Sequence, residues 1–443
     1  MGSNSQQVSR RRIMQGTAAA GAASLIPIPA AWADVDYKKY SGTKLEANLI
    51  KGPRGDLLQK YEGEFKALTG IEISSEVIPE QQQRQKIVIE LSSGKPSFDV
   101  VHLSYHVQKR QFERGHWLAS VTPFMANPAM DEAGHNEADY SAAGMTYAKE
   151  GKELMSLPWS VDYFMVYWNK ELFEKKGVAY PTNFDEMIKA AEKLTDPATG
   201  TYGFVGRGLR NANLPLYMSF LLGFGKEALD EKGNLIIDGP EAVEAAKIYQ
   251  HLLTKCAPPG TIGFNWMESQ ASFLQGKSAM WLDGVGWAPA GEDPTRSRIA
   301  GKIGYGVMPK GPVAHASPTF GDGIGIPAGS AKKEQAYLYC QWAVSKLMGG
   351  RLLQTGGGVP FRNSVIGDPE VQAGVKMPRE WLDCVIASSK ISKLGLPVVV
   401  PVTEFRDIIG TALTATLSGA DPATELKKAA EQFRPILEKS EKG

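Results

Sequence analysis

The sequence predicts an α/β protein of two domains whose first sheet is parallel. Three observations carry this. Alternating and helical apolar periods follow one another as strand, helix, strand, helix, strand from Leu45 to Leu103. A second α/β region begins at Leu157. The 443 residues suffice for two ordinary hydrophobic cores.

Leu45, Ala47 and Leu49 alternate, as a strand requires, and Gly52-Pro53-Arg54-Gly55 then turns the chain. Leu57, Leu58, Tyr61, Phe65 and Leu68 recur at helical spacing, with Gly70 where a C-cap favours glycine. Ile71, Ile73 and Val77 alternate again, and the Gln-rich stretch from Glu80 to Ser93 reads as a helix ended by Gly94 and Pro96. Phe98 to Leu103 is the mostly apolar run of a strand covered on both faces. This order implies parallel strands with right-handed crossovers, and ligands in such sheets sit beyond the carboxyl ends of the strands. The rule places Gly52–Arg54, Gln81–Gln83 and Ser104–His106 beside a cleft. Further on, Val161 to Trp168 reads as an aromatic-rich strand. Thr182 and Asp185 form a capping-box pattern for a helix to Leu194. Asp238, Ser330 and Asp421 are the expected caps of three more helices, and Pro258–Gly260 and Gly356–Gly358 read as loops.

Composition narrows the function. The formal net charge is +1, and the first 33 residues hold three arginines and no acidic residue, so the remainder carries −2. Such a chain has no overall attraction to nucleic acid or to an anionic membrane. Three cysteines without a CxxC read as buried apolar thiols, with one disulfide left open. Six histidines carry no HExxH motif and only one HxxxH spacing, His102–His106, which argues against a metal site, and no cofactor motif is present. Arg10-Arg11-Arg12, an Ala/Gly-rich apolar stretch from Gly16 to Ala30, and Ala31-Trp32-Ala33 follow the order of a secretory signal. The consecutive arginines and modest hydrophobicity resemble a twin-arginine (Tat) signal over residues 1–33, so a periplasmic location is expected.

Four segments, in order, resemble the family 1 extracellular solute-binding proteins, the maltose-binding-protein-like group. They are Gly94–Val101 (GKPSFDVV), Leu157–Lys170 (LPWSVDYFMVYWNK), Phe273–Trp287 (FLQGKSAMWLDGVGW) and Gly321–Pro327 (GDGIGIP). The first carries one residue more than usual between its proline and aspartate. The resemblance implies a two-lobed periplasmic-binding-protein fold, type II-like, with a hinge and with each lobe discontinuous in sequence. It maps the N-terminal lobe to residues 36–158 plus 325–359 and the C-terminal lobe to 159–323 plus 360–443. It also implies capture of a sugar or polyol for the membrane permease of an ABC transporter, by a monomer without enzymatic activity.

A sugar presents apolar C–H faces and many hydroxyls, so its site needs indole or phenol platforms and charged hydrogen-bonding groups. Trp287 matches the family's sugar-stacking tryptophan. Trp281 and Asp283 lie two apart on a strand and share a face. Trp159 and Asp162 sit at the first crossing between lobes, and Gly321 and Asp322 at the second, in a segment read as a flexible loop. Gly321, Gly323, Gly325 and Gly356–Gly358 are expected to serve the hinge. Arg54, Gln82, Ser104, Tyr105, Arg207 and Arg362 complete the expected ligand contacts. Two other readings are weighed: a secreted glycoside hydrolase using Asp283 and Asp322, and the same fold binding iron or a polyamine. A hydrolase needs two carboxylates about 5–9.5 Å apart, iron would favour clustered tyrosines, and a polyamine several carboxylates.

Overall fold

The computed structural model describes residues 35–442; the predicted signal segment lies outside them. The chain opens as the sequence predicts, with β1 (Lys44–Ile50), α1 (Pro53–Thr69), β2 (Glu72–Ile78), α2 (Glu80–Ser92), β3 (Val100–Ser104) and α3 (Tyr105–Gly115). Gly70 ends α1 in the left-handed conformation, φ 74°, its N–H bonded to Lys66 O. β1 pairs in parallel with β2 on one side and with β3 on the other. All five residues of β3 are buried, as the apolar run requires.

Two long strands tie the molecule together. Leu157–Asn169 pairs at its start with Ser317–Gly325 and with Val359–Pro360. At its end it pairs with Met280–Gly284 and Ile303–Val307. Ser317–Gly325 in turn runs antiparallel to β3 and parallel to Ser392–Leu394. Buried side chains form two clusters, one around β1–β3 that continues to Tyr167, Trp281 and Tyr305. The other lies beneath the helices Leu214–Gly223, Pro240–Lys255 and Val402–Leu417. Tyr167 and Met165 face the first cluster while Phe164 and Val166 face the second, the alternation expected of a strand covered on both sides.

Several local expectations change. Gly321-Asp322-Gly323 is no loop but the middle of the fully buried strand Ser317–Gly325. Neither glycine has positive φ. Their hydrogens make room for aromatic rings: a Cβ on Gly323 would collide with the Tyr105 hydroxyl, and one on Gly321 would sit 2.7 Å from Phe361. Asn183, not Thr182, caps Phe184–Leu194, while Thr182 bonds Glu186 through its hydroxyl. Gly239 precedes the helix that Asp238 was expected to cap, and Asp238 pairs with Arg434 instead. Ser330 accepts from Lys332 N, two residues before the cap position of Lys333–Ala343, a helix that ends before a separate one, Lys346–Gln354. Cys256, Cys340 and Cys384 are buried free thiols.

Candidate functional site

Strand register builds the first half of the site. In an antiparallel pair, opposed residues share a face and residues two apart return to it. Ser160 and Ser104 both oppose Asp322, from the strands on either side of it, and Asp162 is two residues beyond Ser160. Two carboxylates and two hydroxyls are thereby gathered at one spot. Arg54, in the first turn of α1, spans both carboxylates, with Nη1 on Asp322 Oδ2 and Nη2 on Asp162 Oδ2. Gly358 admits it: a Cβ there would lie 3.2 Å from Arg54 Nε and 2.7 Å from Ser160 Oγ. Arg54 Nε and Ser160 Oγ are buried with no partner among the described residues, so hydrogen-bonding capacity is held in reserve.

The two carboxylates differ in character. Burial would raise Asp322, but the Arg54 guanidinium, with His102 and His106, holds it well below the ordinary carboxylate range. Asp162 is raised, because burial and the charges of Asp322 and Asp283 outweigh Arg54. His102 supports Asp322 from below. Ile50 N–H donates to His102 Nδ1 at 3.2 Å, which leaves the ring proton on Nε2, 3.4 Å from Asp322 Oδ2.

The second half rests on Asp283, fully buried at the end of Met280–Gly284. Its oxygens accept from Arg207 Nε at 2.8 Å and from Arg207 Nη2. Asp283 Oδ1 also takes the indole N–H of Trp287 at 3.0 Å. Gln270 Nε2 donates to Trp287 O at 3.2 Å. Trp266 opens the helix Trp266–Leu274, whose start is fixed by the Asn265–Glu268 capping box, and stacks on Trp287 at 4.1 Å and 8°. Both indoles are half-buried. Gly284 and Gly286 bring the halves together, since a Cβ on either would be 3.4 Å from Asp162 Oδ1.

The other predicted contacts lie elsewhere. Trp281 is sealed in the core, stacked on Tyr167 at 4.7 Å, because the face it shares with Asp283 continues into aromatic packing. Tyr105 is buried, bonded to Ser156 at 2.6 Å and stacked on Tyr147, beside a small, partly open cavity of about 20 Å³, room for about one water. Trp159 is the extra residue of a β-bulge and is 2% exposed, its ring edge-on to His102 and so one layer beneath Asp322. Arg362 is buried away from the cleft between Glu132 and Asp139. Gln82 is exposed on α2, while its neighbours turn inward: Gln83 bonds Asn48 Oδ1 and His102 O, and Arg84 bonds Glu80 and Ser104 Oγ.

Sequence reasoning missed Arg84, Glu80 and Arg406. The i,i+4 spacing of Glu80 and Arg84 at a helix start was the available signal for the first two. For Arg406 the only signal was its place between the apolar Phe405 and Ile408–Ile409, beside Glu404 and Asp407.

Fold and site together define a two-lobed solute-binding protein. The chain belongs to the bacterial extracellular solute-binding protein family, whose model matches residues 51–346. It is 25% identical over 468 aligned positions to an erythritol/L-threitol-binding protein of Mycolicibacterium smegmatis, covering 96% of each chain. It is 27% identical to a probable amino-acid ABC transporter periplasmic-binding protein of Sinorhizobium fredii, over 75% of this chain and 76% of that one. A solved ABC transporter solute-binding protein of Agrobacterium radiobacter K84, in complex with ribitol, superposes with a TM-score of 0.79 at 25% identity. That match covers 89% of this chain and 99% of the other. Among the described residues, no helix is long and apolar enough to cross a membrane.

Proposed function

We propose that this protein captures a sugar or sugar alcohol outside the cytoplasm and delivers it to the permease of an ABC importer. One observation carries the reading: a half-buried indole, Trp287, is pinned by Asp283 beside Arg54, Asp162 and Asp322, which come from three different elements. An indole face suits C–H surfaces, and the surrounding charged groups suit hydroxyls. The erythritol-binding relative and the ribitol complex support the same class of ligand. The two long strands and Val359–Pro360 are proposed as the crossings about which the lobes part. Export by a twin-arginine signal is part of the proposal. A hydrolase using Asp283 and Asp322 fits poorly, because each carboxylate is paired with a guanidinium group, Arg207 or Arg54, which disfavours the protonated form that a general acid needs.

The test is a thermal-shift and calorimetry screen over tetritols, pentitols, hexitols and the matching aldoses. A true ligand at a hundred times its dissociation constant adds about 2.7 kcal/mol of stability. Trp287→Ala should then weaken binding by roughly tenfold or more. Tight binding that Trp287→Ala leaves untouched would place the sugar elsewhere.

A further inference from the structure

The charges around the site are unevenly distributed. At one end a single guanidinium, Arg54, serves two carboxylates, Asp162 and Asp322. At the other, Glu80 pairs directly with Arg84 and also feels the charge of Arg406. Arg406 feels Glu80 and its half-exposed neighbour Asp407 only through space, Asp407 being bonded to Asn211. The remaining pair, Arg207 with Asp283, is neutral. The site is therefore dipolar, with an excess negative charge at Arg54 and, at Arg84 and Arg406, a positive charge that the half-exposed Asp407 offsets only in part.

Arg406 makes no ion pair among the described residues, although it is only 8% exposed. It lies near the start of Val402–Leu417, a helix that packs against α3. Its Nε and Nη2 both donate to one carbonyl, Asn211 O, at 3.2 and 2.9 Å. Asn211 holds that carbonyl in place from the left-handed conformation, φ 70°, with its amide on Asp407 at 2.8 Å. Arg84 is 7% exposed, and its Nε is buried without a partner among the described residues. Its Nη2 is divided among Glu80, Ser104 Oγ and His106 Nε2. Burial and the charge of Arg84 push Arg406 down to about 9. His106, facing Arg84, Arg406, Glu80 and Asp322, is pushed down to about 4 by burial and by Arg84, so it stays neutral and adds no compensating charge. Buried charge without a partner is costly and is retained where a ligand completes it.

We infer that the ligand carries a carboxylate. Resting on the proposed sugar-binding function, the geometry assigns that group to Arg84 and Arg406, with the ligand's hydroxyls toward Arg54, Asp162 and Asp322. The substrate class is an acidic sugar, an aldonate or uronate, rather than a neutral polyol. Guanidinium forks match a carboxylate in shape as well as charge.

Calorimetry on the exported chain with matched probes tests this: D-gluconate against D-glucitol, D-mannonate against D-mannitol, and D-galacturonate against D-galactose. At least one acid should bind at least about tenfold more tightly than its neutral partner, the weight of a charge-assisted hydrogen bond. In Arg406→Gln that ratio should collapse to about one, and Arg406→Lys should restore part of it. Circular dichroism and melting temperature establish that the variants fold, and if Arg406→Gln does not, the wild-type ratios decide alone. Neutral sugars binding as tightly as their acids would overturn the charge assignment and leave the sugar-binding reading intact. Amino acids binding where neither sugars nor sugar acids do would overturn both.

Discussion

Arg54 shows how one side chain can organise a site. It is drawn from the first turn of a helix, yet it neutralises carboxylates on two strands 160 residues apart in sequence. Its burial alone would lower its pKa, and Asp162 and Asp322 together raise it instead. Removing it leaves two carboxylates facing one another out of water. Arg54→Met should therefore destabilise the fold by about 3 kcal/mol in urea denaturation, whereas adding Asp162→Asn and Asp322→Asn should recover at least half of that. A triple variant no more stable than the single one would mean that Arg54 acts through packing and not through charge. At this scale the sequence was partly legible. Arg54, Asp162, Asp283, Asp322, Arg207 and Trp287 converge because strand ends and the first loop were readable as cleft positions. Gln82 and Arg84 show why the rest was not. Both lie in the first turns of α2, and the choice between them depends on helix phase, which a short polar stretch with no apolar stripe does not reveal.

At the scale of the element, Gly321-Asp322-Gly323, the middle of the strand Ser317–Gly325, was read as a flexible loop because glycine and aspartate are turn formers. The competing principle was packing. Between β3 and Leu157–Asn169 there is backbone pairing on both sides, and the space above Gly323 is filled by Tyr105. The glycines are there to be small. Gly323→Ala should accordingly cost about 1–3 kcal/mol, as an overpacked core does, and should lower the melting temperature with or without ligand. If it instead left stability unchanged and altered only affinity, a hinge role would be the better account. The amino-terminal elements were legible for the opposite reason. β1 and α1 show apolar periods ended by Gly and β3 is a mostly apolar run, so local pattern and tertiary burial agree.

For the whole molecule, the shared strands set how the lobes depend on one another. Leu157–Asn169 hydrogen-bonds to four other strands, and its first half and second half belong to different sets of them. One lobe cannot lose this strand's pairing without fraying the edge on which the other is built. Lobes joined by a flexible linker would unfold separately, since few contacts would cross between them. Here the contacts run along continuous backbone, and the ion cluster of Arg54, Asp162 and Asp322 adds side-chain bonds across the same region. The ligand-free chain should therefore unfold in one cooperative transition, with far-ultraviolet circular dichroism and tryptophan fluorescence tracing coincident urea curves. Ligand should move both curves together to higher urea by the amount mass action requires. Two resolved transitions, with ligand shifting only the later one, would show that each lobe carries its own stability and that the long strands act merely as tethers.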